Sequence, residues 1–83
     1  MKPDERYFLK RMQTEVGLAP FRAKGKTARD IINEDGFPLH NKRAWYLLQK
    51  WAGKGWYDYG VTIDLGWMTD EGMKVEVLHH DKI

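Results

Sequence analysis

The sequence predicts an α+β domain, mainly α, in which a three-helix core is followed by a C-terminal β-hairpin. Two patterns carry this expectation. Ala44, Leu47, Leu48 and Trp51 recur at i, i+3, i+4 and i+7, the spacing of one buried helical face. From Tyr57 to Trp67 every odd position is apolar or aromatic, while the even ones include Asp58, Gly60, Thr62, Asp64 and Gly66. That is the period-two alternation of strands covered on one side. The 83 residues suit a single domain spanning 1–83. A domain of this size buries only about 60–65% of the surface its unfolded chain exposes, so the core must be economical.

The first helix is expected to begin at Pro3, because proline fits the first turn, where its missing N–H is not needed. Asp4 and Glu5 then sit at the positive end of the helix dipole. Phe8, Leu9, Met12 and Val16 form its apolar stripe, and Gly17 with Ala19-Pro20 stops it. Residues 21–26 read as a basic loop. Thr27 caps a second helix, with Asp30 three residues on as the reciprocal partner and Ala28, Ile31 and Ile32 as the buried side. Asp35-Gly36 is expected to end it. The third helix starts at His40 or Asn41, of which Asn41 is the better cap. Gly53-Lys54-Gly55 breaks it. The hairpin is expected to occupy residues 56–68 and to reverse near Gly60, with Asp64-Leu65-Gly66 as the competing turn. Trp67 should face the helices and Asp64 the solvent. After Thr69 two readings stay open: a capped helix carrying Val75 and Leu78, or a strand alternating Met73, Val75 and Val77.

Charge is distributed unevenly. Residues 1–21 carry +1, residues 22–54 carry +5 and residues 55–83 carry −4, within a net charge of +2. The central third would attract a polyanion and the last third would repel one. There is no cysteine, which removes disulfide, thiolate-metal and thiol-nucleophile chemistry. No run approaches the ~18 apolar residues of a membrane span, and Met1–Arg6 is charged where a secretory signal would be apolar. A soluble, cytoplasmic protein is the expectation.

Two stretches resemble winged helix-turn-helix domains. Leu48-Gln49-Lys50-Trp51-Ala52-Gly53-Lys54-Gly55-Trp56 has two large apolar residues three apart, then a glycine, then an apolar residue opening a strand. Gly66-Trp67-Met68-Thr69-Asp70-Glu71-Gly72 is similar to that family's exit from the wing, an apolar strand end followed by Thr and a Gly three residues later. The resemblance covers residues 4–72 in order and spacing. It implies a DNA-binding regulator whose third helix enters the major groove of double-stranded DNA. By position it places Asn41, Lys42, Arg43, Tyr46, Gln49 and Lys50 against the duplex. Arg suits guanine, Asn and Gln suit adenine, and Lys and Tyr reach phosphate. Arg22, Lys24 and Lys26, before the second helix, would clamp phosphate. The hairpin departs from the pattern: residues 55–73 hold no basic residue but include Asp58, Asp64, Asp70 and Glu71. A wing contact with DNA is therefore not implied.

That acidic hairpin favours the alternative, a winged-helix module that binds protein instead of DNA. Trp51, Trp56 and Trp67 are expected in the core. Trp45, Tyr46, Tyr57 and Tyr59 form a candidate exposed cluster for a partner or a second copy. His79-His80-Asp81 lacks the spacing of a metal site. No nucleophile elbow, phosphate loop or paired-carboxylate cleft is present, so neither catalysis nor a cofactor is expected.

Overall fold

The computed structural model describes residues 1–18 and 25–77. Helix α1 (Pro3–Arg11) begins at the proline and carries Asp4 and Glu5 in its first turn. It continues into a wider π-helical segment, Met12–Val16. Gly17 ends that segment at φ 76°, a left-handed conformation that costs glycine little and other residues more. Helix α2 (Ala28–Ile32) starts with a full capping box, the Thr27 hydroxyl accepting from the Asp30 N–H and the Asp30 carboxylate accepting from the Thr27 N–H. It ends at Ile32, earlier than the Asp35-Gly36 stop read from the sequence. Helix α3 (Asn41–Gly53) is the longest. Its cap is His40 rather than Asn41, with the imidazole Nδ1 accepting from the Lys42 N–H at 3.2 Å.

The buried faces of these helices meet in one core. Phe8, Leu9, Met12 and Val16 pack with Ala28, Ile31 and Ile32 and with Ala44, Leu47, Leu48 and Trp51. The Phe8 ring lies 5.2 Å from that of Trp51 and 5.3 Å from that of Phe37. Glu5 is a buried exception at 2% exposure. Its carboxylate accepts from the Trp51 indole N–H at 2.9 Å and from the Lys50 ammonium at 3.0 Å. This satisfies a charge that would otherwise be costly to desolvate.

The C-terminal part contains a two-stranded antiparallel hairpin, β1 (Tyr57–Asp58) with β2 (Trp67–Met68), followed by helix α4 (Asp70–Lys74). The strands are much shorter than the alternation suggested, and the chain reverses across the whole of residues 59–66, which include both expected turns, rather than in a tight turn at either. Residues 59–66 connect them through a 3-10 turn at Ile63–Leu65. Tyr57 pairs with Met68 and Asp58 with Trp67. Cross-strand partners share a face, so an odd position on β1 shares its face with an even one on β2. Met68 is therefore fully buried and Trp67 only half-buried, although Trp67 still packs against the core. Trp51 is wholly enclosed and Trp56 packs at the edge. The Tyr57 hydroxyl donates to the Ile63 carbonyl at 2.6 Å and accepts from the Gly66 N–H at 2.9 Å, and burial pushes the phenol's pKa up. Tyr57 thus belongs to the core and not to an exposed cluster.

Of the two readings left open after Thr69, the helical one holds as far as Lys74. The Thr69 hydroxyl caps α4 by accepting from the Gly72 N–H. Val75 lies beyond the helix, and Leu78 falls outside the described residues. Beside β2 on its other side is the end of the π-helical segment: the Met68 N–H donates to the Gly17 carbonyl at 2.7 Å. Gln13 reaches the carbonyls of Gly72 and Val75, both at 2.9 Å, and so ties the first helix to α4.

Gly72 is set by close approach. A Cβ there would lie 2.0 Å from the Trp56 carbonyl oxygen and 2.7 Å from the Met68 terminal methyl. Gly72→Ala is expected to destabilise by about 1–3 kcal/mol or more, as overpacking does. Gly53→Ala, with open space around it, should be neutral or gain up to about 1 kcal/mol from helix propensity. Urea unfolding of the two variants checks the contrast, and equal midpoints would contradict it.

Candidate nucleic-acid interface

Helix α3 contains three basic residues and no carboxylate, but its cations do not all face outward. Arg43 forms a two-pronged pair with Asp4, at 2.9 and 3.1 Å. The guanidinium's hydrogen bonds lower the Asp4 pKa below its ordinary value, and its carbon lies 5.7 Å from the Tyr46 ring centroid. Lys50 is drawn inward to Glu5. The resemblance places Lys50 against the duplex, but the buried Glu5 carboxylate turns it toward α1.

What faces outward is a ridge of Asn41, Lys42, Trp45, Tyr46 and Gln49, all exposed. These five residues line a shallow depression of about 420 Å³. Trp45 and Tyr46 are 40% and 55% exposed, large values for aromatic side chains. Asn41, Lys42, Tyr46 and Gln49 thus come together on one exposed face. Trp45, read from the sequence as part of an exposed aromatic cluster, lies among them. The 100° rotation between residues placed it there in principle, because it sits four residues after Asn41 and four before Gln49.

Of the three residues of the expected phosphate clamp, Lys26 alone lies among the described residues. Arg22 and Lys24 lie outside the described residues. Lys26 is held by Glu15 at 2.6 Å and Glu34 at 3.4 Å. Arg11 completes this cluster, bonding Glu15 and Glu34, the latter at 2.6 and 2.9 Å. The four charges connect the π-helical segment, the approach to α2 and the turn after it. Arg11's hydrogen bonds hold the Glu15 carboxyl down to about 2 from its ordinary 4.5, with Lys26 adding to the effect. They lower Glu34 as well.

The hairpin loop also differs from expectation. Asp64 is buried, not solvent-facing: its carboxylate accepts from Arg29 on α2 at 2.8 and 3.3 Å and from the Thr62 hydroxyl at 2.8 Å. The Arg29 guanidinium keeps this carboxyl below its usual range. The loop is thereby fastened against the helices instead of extending as a free arm. Val61 and Tyr59, at 88% and 42% exposure, are its outward side chains.

Among the described residues no group of three or more histidine, aspartate or glutamate side chains could hold a metal ion. No helix there is long and apolar enough to cross a membrane. His79, His80 and Asp81 lie outside the described residues. Comparison with protein-family models, with curated proteins and with solved structures matched none of them.

The charge cluster predicts acid sensitivity. The folded pKa of Glu15 lies below the unfolded one, so its ionised form stabilises the fold above about pH 4.5. That contribution, no more than about 3 kcal/mol, is lost as pH falls toward 2. Urea midpoints measured between pH 6 and pH 2.5 should fall less steeply for Glu15→Gln than for the parent chain, and parallel profiles would contradict the assignment.

Proposed function

We propose that this chain is a winged helix-turn-helix DNA-binding domain of a transcription regulator, which sets α3 in the major groove of a duplex. The observation that carries the reading is the outward face of α3. It joins two carboxamides, a lysine and two aromatic rings on a helix that bears no acid. Such side chains hydrogen-bond base edges and phosphates, and a helix of this width fits the major groove. The arrangement around α3 supports the same reading. Helix α2 precedes it across an eight-residue connection, residues 33–40, a hairpin follows, and the Gly17 carbonyl accepts from the Met68 N–H of β2.

Among the ion-paired cations of α3, Arg43 remains available for phosphate. Arg43 and Asp4 are each about one-third exposed, and exposed pairs contribute only about 0–1 kcal/mol. A phosphate can therefore compete for Arg43. The hairpin has no part in this mode, because its loop is acidic and fastened to α2.

A second reading, protein recognition without DNA, is favoured by Trp45, Tyr46 and Tyr59, three exposed rings of the kind that anchor interfaces. Titration of labelled duplex by fluorescence anisotropy separates the two. Random duplex should bind near 50 mM salt and weaken steeply at higher salt. Lys42→Ala should lower affinity for all duplexes alike and reduce the salt slope by about one unit. Absence of binding near 50 mM salt would overturn the DNA reading and leave the aromatic face as a protein surface.

A further inference from the structure

Resting on the DNA-binding reading, we infer that Asp4 is a positioning residue for Arg43, which takes a backbone phosphate on the guanidinium edge that Asp4 leaves open. The pair is one-sided. Asp4 accepts from Nε at 2.9 Å and from Nη2 at 3.1 Å. Among the described residues nothing accepts from Nη1, and that nitrogen is not buried. Nη1 and the second N–H of Nη2 make the fork that grips a phosphate at two points. A phosphate on this fork need not displace Asp4, because the rigid, planar group presents both edges at once.

The guanidinium is steadied on its face as well. Its carbon lies 5.7 Å from the Tyr46 ring centroid, within the range of a cation–π contact. Its place on α3 suits a phosphate. The outward depression is lined by Asn41, Lys42, Trp45, Tyr46 and Gln49, and Arg43 sits beside that ridge, on the flank turned to the start of α1. A helix with its side chains is about 10–12 Å across and the major groove about 12 Å wide. The flanks of an inserted helix therefore face the two sugar-phosphate strands. Holding the fork beforehand removes part of the ordering cost that a free arginine carries when it binds. Because the pair is partly exposed, this gain is limited to about 2- to 5-fold in affinity.

A double-mutant cycle tests this, with the parent chain, Asp4→Asn, Arg43→Ala and the double variant titrated against duplex DNA at two salt concentrations. The general effect of removing an acid near DNA cancels in the cycle. Arg43→Ala should weaken binding and lower the salt slope by about one unit. That loss should be about 2- to 5-fold larger with Asp4 present than in the Asp4→Asn background. Arg43→Lys should keep the salt slope but lose the coupling, since an ammonium has no second rigid edge. Duplexes carrying one neutral methylphosphonate should include one that weakens the parent chain and leaves Arg43→Ala unaffected. All the chains should unfold at similar urea midpoints, and Arg43→Gln stands in for Arg43→Ala if that midpoint is lower. An Arg43 loss that is equal or larger in the Asp4→Asn background would overturn the positioning role, because the phosphate then displaces Asp4 or ignores it. Full coupling in Arg43→Lys would overturn the fork. If no methylphosphonate position separates the parent chain from Arg43→Ala, the phosphate contact is overturned while DNA binding stands. No binding of any duplex near 50 mM salt would overturn the DNA reading beneath it.

Discussion

The buried carboxylate of Glu5 is the constraint around which the helices are arranged. A charge at 2% exposure is tolerable only if its lone pairs are satisfied. Here the Trp51 indole N–H and the Lys50 ammonium do so from the last turns of α3. The bond to Trp51 fixes where the start of α1 meets the end of α3. Toward the start of α3, the adjacent Asp4 meets Arg43. Together the two contacts set the rotation of α3 about its own axis. Ala44, Leu47, Leu48 and Trp51 point into the core, and Asn41, Trp45, Tyr46 and Gln49 point away from it.

The same acids shape the surface. A helix with three cations and no carboxylate would be an indiscriminate polyanion binder if all three faced solvent. With Arg43 and Lys50 partly neutralised, its outward face is dominated by directional hydrogen-bonding groups and aromatic surface. In the proposed DNA-binding role, affinity from charge would be reduced and the balance would move toward contacts that depend on base identity. On the opposite flank Arg29 and Asp64 hold the hairpin loop down, so the loop adds no reach. The cluster of Arg11, Glu15, Lys26 and Glu34 likewise turns charge inward, bracing the chain on either side of the basic loop.

Local patterns in the sequence were enough to place most of the fold. The i, i+3, i+4, i+7 spacing located the buried side of α3, and Thr27 with Asp30 marked the start of α2, while after Thr69 helix and strand were equally legible. The hairpin was legible as a hairpin but not in its register. The alternation in the sequence runs on through a loop that exposes Tyr59 and Val61 and a 3-10 turn that buries Ile63 beside Asp64, and nothing local distinguishes that from a continuing strand. The site was less legible for a related reason. Arg43 finds Asp4, Lys50 finds Glu5 and Arg29 finds Asp64 across 35 to 45 residues. A lysine on the polar side of a helical wheel gives no sign that an acid elsewhere in the chain will draw it inward. His40 replaced Asn41 as cap because its Nδ1 can accept a backbone N–H much as a carboxamide oxygen does.

The central claim is that α3 presents a single outward recognition face made of residues 41, 42, 45, 46 and 49. Nitrogen-15 chemical-shift mapping during titration with duplex DNA tests it most directly. The account predicts the largest changes at the Asn41 and Gln49 side-chain amides, the Trp45 indole N–H and the backbone of Lys42 and Tyr46. The Trp51 indole N–H, bonded to Glu5, should stay nearly fixed. Changes centred instead on α4 or on the 59–66 loop, with the α3 face unmoved, would contradict it.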